Sequence, residues 1–167
     1  GEERVTNTVE WEEGRPMYLP DSETVMFRAW KYADYGKKRP TPMTVFTIKH
    51  DGTDLKPRTF DEGMNWHPTP APDGRHYVYV RAVTANNWEI MLGDLAGGPP
   101  RQLTYYDKLD ILAHISPDGK KMNWGRATGD GFMGGIRTFV MDVSSLDLGK
   151  ENYVPFDPSW GKKMETP

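Results

Sequence analysis

Apolar and polar residues alternate with a period of two in short runs, and proline and glycine break those runs at regular distances. Three runs, "TVMFRAW" (24–30), "RHYVYVRA" (75–82) and "KKMNWGRA" (120–127), each follow a turn built on aspartate: Pro20-Asp21-Ser22, Pro72-Asp73-Gly74 and Pro117-Asp118-Gly119. Such a turn combines a fixed φ, a carboxylate that accepts nearby backbone N–H groups and a residue that tolerates positive φ, so each predicts a tight hairpin. A second run follows in each case: "MTVFTIKHDGTD" (43–54), "NWEIMLGDLAGG" (87–98) and "IRTFVMDVSS" (136–145). Two of the units close on related tails, "KPRTF" ending at Phe60 and "RQLT" ending at Thr104. "ERVT", at the start, looks like the same tail of a preceding unit, and the third unit ends less typically in "KENYVPF".

The turn aspartates lie 52 and 45 residues apart, a spacing that fits four short antiparallel strands per unit. Strand A precedes the aspartate turn and strand B follows it. Strand C leads to a second hairpin, at Asp51-Gly52 in the first unit and Gly97-Gly98 in the second, and strand D carries the tail. Prolines at 16, 20, 40, 42, 57, 68, 70, 72, 99, 100 and 117 leave no clean helical span. The prediction is an all-β domain over residues 1–155, with units at about 15–60, 61–104 and 105–155, and an extended C-terminal tail over 156–167.

"HPTPAPDGRHYVYV" with "DLAGGPPRQLT" resembles the PD40, or WD40-like, repeat of TolB-type β-propellers, and "HISPDGKKMNW" and "LPDSETVMF" resemble its first half, the latter with serine for glycine. The resemblance covers about residues 1–150 and implies a partial propeller of three four-stranded blades. Propellers usually have four to eight. Both end faces of a three-blade arc, rich in Val, Ile, Phe, Met and Trp, are expected to need cover, from a second copy closing a six-bladed ring, from another protein, or from further blades of a longer propeller of which this chain is a piece. The resemblance further implies a binding or accessory role, a periplasmic or extracellular setting, and a protein partner.

Composition narrows this reading. A net charge of −3 gives no sequence-independent grip on nucleic acid. The apolar runs are far too short to span a bilayer. The first residues, "GEERVTNTVEWEEG", are polar and do not read as a signal peptide, and a start at Gly1 suggests a processed chain. The cysteine count of zero removes disulfides and thiolate chemistry and fits an oxidising compartment.

Candidate chemistry lies on the propeller's loops and axis. The longest loop, "WKYADYGKKRPTP" (30–42), mixes Trp30, Tyr32 and Tyr35 with Lys37 and Arg39, which suits an acidic, sugar-like or protein partner. Propeller geometry implies that Arg15, Tyr18, His67, Asp110 and His114 line the axis. His67 and His114 are not at equivalent repeat positions and make a poor metal set, so no metal and no cofactor is expected. "GDGFMG" (129–134) matches a dinucleotide fingerprint, but a strand-like run follows where that motif needs a helix. No nucleophile motif and no opposed carboxylate pair is present, so the chain is not expected to be an enzyme. The alternatives are a substrate-binding half-propeller of a hydrolase or polysaccharide lyase, and a carbohydrate-binding module using Trp30, Tyr32 and Tyr35. In the tail, Phe156 and Trp160 are expected to dock on a neighbour.

Overall fold

A computed structural model describes residues 1–161. It contains three separate antiparallel sheets. The first orders β1 (Trp11–Tyr18), β2 (Thr24–Lys31), β3 (Thr44–Lys49) and β4 (Lys56–Pro57). The second repeats this with β5 (Asn65–Pro70), β6 (His76–Ala82), β7 (Trp88–Asp94) and β8 (Arg101–Gln102). The third has β9 (Asp110–Ile115), β10 (Lys121–Ala127) and β11 (Ile136–Asp142). The architecture is that of a partial propeller whose sheets do not close a ring.

The aspartate turns do what their composition predicts. Asp21 Oδ1 accepts the backbone N–H groups of Glu23 and Thr24 at 3.0 and 2.9 Å, and Asp73 Oδ1 those of Arg75 and His76 at 3.1 and 3.0 Å. The next residue is left-handed in all three turns, with φ of 58° at Ser22, 77° at Gly74 and 70° at Gly119. The tail threonines also have a shared task. Thr59 Oγ1 accepts the Val45 N–H at 3.0 Å, and Thr104 Oγ1 the Ile90 N–H at 2.9 Å, so each locks strand D to strand C. The expectation of a fourth strand in the third unit is corrected. Among the described residues no such threonine follows β11, and the chain enters 3-10 turns at Ser144–Leu146 and Lys150–Asn152 instead.

Adjacent blades are stitched by two equivalent bridges, Met43 to Met64 and Trp88 to Leu109, each joining the start of a strand C to the strand A of the next blade. One core fills the seam between the first two blades, with Met26 and Val45 on one side and Tyr77, Tyr79 and Met91 on the other. A second, between blades two and three, is built on Val78, Val80, Ile90, Ile111, Met122 and Trp124. A third lies on the outer face of blade one, where Phe27, Ala29, Phe46 and Ile48 are buried under Val5, Val25 and Leu55, beside Trp11.

The expectation that both end faces would be apolar is met by blade one alone. On blade three the period of two turns Met122, Trp124, Phe139 and Met141 inward, towards blade two. Outward it leaves the ion pair Lys121–Asp142 (2.6 Å), Asn123 opposite Val140, and Gly125 opposite Thr138.

Candidate functional site

Each strand A carries a β-bulge, seen as a register shift at Gly14/Met17, at Trp66/Thr69 and in the pairing of β9 with β10. In each bulge one non-glycine residue takes a left-handed conformation: Arg15 (φ 59°), His67 (φ 53°) and Leu112 (φ 59°). All three stand six residues before their turn aspartate. A bulge inserts one extra residue, which shifts the pairing register beyond it and re-aims the side chain at that point. The device is thus repeated in all three blades and bears a nitrogen base, a guanidinium or an imidazole, in two.

Around Arg15 and His67 a basic cluster assembles. The rings of His67 and His114 meet edge to face at 5.6 Å. The Arg28 guanidinium lies 5.6 Å from the ring centroids of both Trp30 and Trp66. A Cβ on Gly14 would come within 3.3 Å of Arg28 Nη2, so glycine leaves the space that the guanidinium occupies. His67 is 7% exposed, and burial, reinforced by Arg15, His114 and Arg28, lowers its pKa to about 4. Burial and then Arg15 lower the His114 pKa as well, and the same two causes depress that of Arg28.

Beside this cluster the B–C loops of all three blades converge. They enclose a groove of about 640 Å³ walled by Met43, Met64, Trp66, Trp88, Phe132 and Met133, with Arg39 at its edge. Trp66 packs edge-on to Trp88 at 6.0 Å, and Trp88 to Phe132 at 5.2 Å, which makes an aromatic path from blade two to blade three. Phe132 and Met133 are about half exposed, on the glycine-flanked loop that the dinucleotide-like motif occupies. A strand follows that loop, as its sequence predicted.

The other candidates are placed differently. Tyr18, Tyr32 and Tyr35 are exposed, and so are Lys37 and Arg39. Trp30 stacks at a tilt of 33° on Tyr35, 6.1 Å away, and its indole N–H donates to Glu12 at 2.7 Å, so the two rings do not form a flat platform. Asp110 does not face the axis as a free carboxylate. It is fully buried and accepts two 2.7 Å hydrogen bonds from Arg126, whose guanidinium stacks on Tyr106 and Phe139. Glu89 is likewise engaged. Burial raises its pKa, and it accepts hydrogen bonds from Thr104 Oγ1 and the Tyr106 N–H, both at 2.6 Å.

The tail docks on the chain itself rather than on a neighbour. Phe156 and Trp160 meet edge to face at 5.8 Å and pack on the core between blades one and two. Arg58 Nη1 donates to the carbonyls of Trp160 and Leu95 at 2.9 Å each, Lys56 Nζ donates to the Pro158 carbonyl, and Arg75 lies 6.0 Å from the Trp160 ring centroid. Closer to blade three, the Val154 N–H donates to the Asp73 carbonyl at 2.8 Å. The stretch 162–167 of the expected tail lies outside the described residues.

Reading each repeat alone missed Arg28, Trp66 and Trp88. The available signals were an arginine inside an otherwise apolar run and the shared offset of Arg15 and His67 from their turns. Among the described residues no group of three or more His, Cys, Asp and Glu side chains is placed to hold a metal ion, and no helix is long and apolar enough to cross a membrane.

No family model matches the sequence, and no curated protein does. Solved structures do. TolB from Acinetobacter baumannii superposes with a TM-score of 0.62 at 19% identity, over 78% of this chain and 30% of that one. A putative TolB from Agrobacterium tumefaciens gives 0.62 at 22% identity, over 75% of this chain and 44% of that one. The chain therefore spans less than half the length of either structure, and what it shares with them is the TolB-type propeller fold.

Proposed function

We propose that this chain is a non-catalytic interaction subunit, working outside the cytoplasm as part of a larger assembly and receiving a protein partner on the face where the B–C loops meet. The observation that carries the reading is the groove shared by the three blades. Methionine and aromatic side chains dominate its wall, and such walls adapt to an apolar partner surface and supply most of the binding energy of protein interfaces. Asp110 and Glu89, the buried carboxylates nearest to a catalytic appearance, already spend their hydrogen bonds inside the fold. The fold likeness to TolB proteins supports the extracytoplasmic setting.

The test is native mass measurement of the chain in an extract of its source cells, beside a Phe132→Ser/Met133→Ser double variant. The wild type is expected in a complex well above its own mass, and the variant, changed only on an exposed loop, at its own mass. A wild-type chain that runs as a free monomer would overturn the reading.

A further inference from the structure

We propose that Arg15, Arg28, His67 and His114 form a carboxylate-binding site on the propeller axis, where the ligand's apolar body would lie along Trp66 into the neighbouring groove. Three polar atoms of this cluster, Arg15 Nε, Arg28 Nε and His67 Nε2, are buried with no hydrogen-bond partner among the described residues. A buried donor without an acceptor costs about 1–3 kcal/mol, and more when the group is charged, so the two arginine N–H groups, joined by His67 in its Nε2–H tautomer, mark a place prepared for an acceptor. His67 is more than nine-tenths buried and is turned there by its bulge.

The contrast with other arginines of the fold is direct. Arg75, Arg81 and Arg126 pair with Asp94, Asp61 and Asp110 at 2.7, 2.6 and 2.7 Å. Arg15 and Arg28 have no ion pair among the described residues, although Arg28 is partly buried. Both arginines and both histidines instead face one another, and the depressed pKa values of Arg28, His67 and His114 express that mutual repulsion on top of burial. An anion removes the conflict. Arginine presents a planar fork of N–H donors that fits a carboxylate. The indole rings of Trp30 and Trp66 hold the Arg28 guanidinium in place, so little freedom is lost on binding.

Trp66 decides between anions. It touches the cluster on one side and the apolar groove on the other, so the ligand's substituent meets hydrocarbon. A singly charged carboxylate with an apolar body suits that setting, whereas a strongly hydrated dianion such as phosphate would be stripped of water against an indole wall.

The site goes beyond the interaction role and is tested on the purified 167-residue chain alone, so it can stand or fall independently of any complex. Calorimetric titration would compare 3-phenylpropionate with its neutral isostere 3-phenylpropionamide and with inorganic phosphate. Acetyl-Ala-Glu-Phe-amide, whose only carboxylate is a side chain, forms a further arm. The acid is expected to bind at least tenfold more tightly than the amide, and Arg15→Gln and Arg28→Gln to lose that preference. Tighter binding of the peptide than of the free acid would identify a polypeptide as the source of the carboxylate. Tighter binding of the free acid would identify a small molecule. In the wild type, the ring proton resonances of His67 and His114 should move with the acid and not with the amide, a readout that does not depend on the variants folding. Equal binding of acid and amide, phosphate binding as tight as the acid, undiminished binding in both variants, or still histidine resonances would each overturn the assignment.

Discussion

The outer faces of blade one and blade three are built from the same strand pattern and end in opposite surfaces. On blade one, Phe27 and Phe46 stack at 5.7 Å, both nearly inaccessible, and the N-terminal segment lays Val5 over them. On blade three, Lys121 and Asp142 pair across the corresponding sheet, and Val140 stands 62% exposed among polar neighbours. A stacked repeat buries its faces against the next repeat, and a terminal one needs a polar face to end the stack. Blade three has such a face. Blade one relies on a cover, and the groove of about 500 Å³ that remains beside Val5, Met17 and Tyr18 shows the cover to be incomplete. Closing a ring from two copies would set this apolar face against the Lys121–Asp142 pair and its polar neighbours, which is a poor match in polarity.

The largest expected break in the comparison comes from truncating its buried side. Phe46→Ala should cost about 3–5 kcal/mol in denaturant unfolding, and Val140→Ala on blade three less than about 0.5 kcal/mol. Similar costs at the two sites would remove the contrast. Acid titration separates the axis from both ends. His67 protonates near pH 4 in the folded chain and near 6.5 when unfolded, so the unfolded state holds the extra proton between those values. Its contribution is complete above pH 6.5 and is lost as pH falls towards 4, up to about 3 kcal/mol in all. His67→Gln should flatten that slope in melting curves recorded from pH 7 to 4.5. Asp142, whose pKa is lowered first by its hydrogen bond from Lys121, acts in the same direction as His67 but at lower pH. Its support on blade three persists above the ordinary carboxylate pKa and disappears only below it.

Smaller changes sharpen the picture. Val5→Asp should lower stability by about 1–2 kcal/mol and raise binding of a hydrophobic dye as blade one is uncovered, while Val140→Asp should do neither. Smallest of all, Lys121→Ala should cost under about 1 kcal/mol, because an exposed ion pair contributes little. A larger loss on unfolding would show that blade three's face is packed against something.

Local features of the fold were legible in the sequence and relations between strands were not. The aspartate turns and the three-fold repeat follow from residues a few positions apart, and the positive φ at Ser22 shows that the turn survives the loss of its glycine. Asp110 looked like an axial ligand because strand A faces inward. Its partner Arg126 comes from the adjacent strand, and their pairing depends on a register interrupted by a bulge. Arg28 hid inside an apolar run, since one arginine does not disturb the alternation. The tail resisted prediction for another reason. Phe156 and Trp160 lack periodicity, and the seam that receives them, between Leu19, Met26 and Tyr77, exists only after two distant blades have met.

The bulges separate two demands that an ordinary strand must meet together. Along a regular strand every residue is committed to one sheet face or the other, and changing it disturbs a core. At Arg15, His67 and Leu112 the backbone conformation is nearly the same while the side chains are a guanidinium, an imidazole and a hydrocarbon. The position behaves as a socket whose fitting is independent of the frame. A propeller of this construction could exchange the chemistry at its centre one blade at a time, with the packing between blades left as it is.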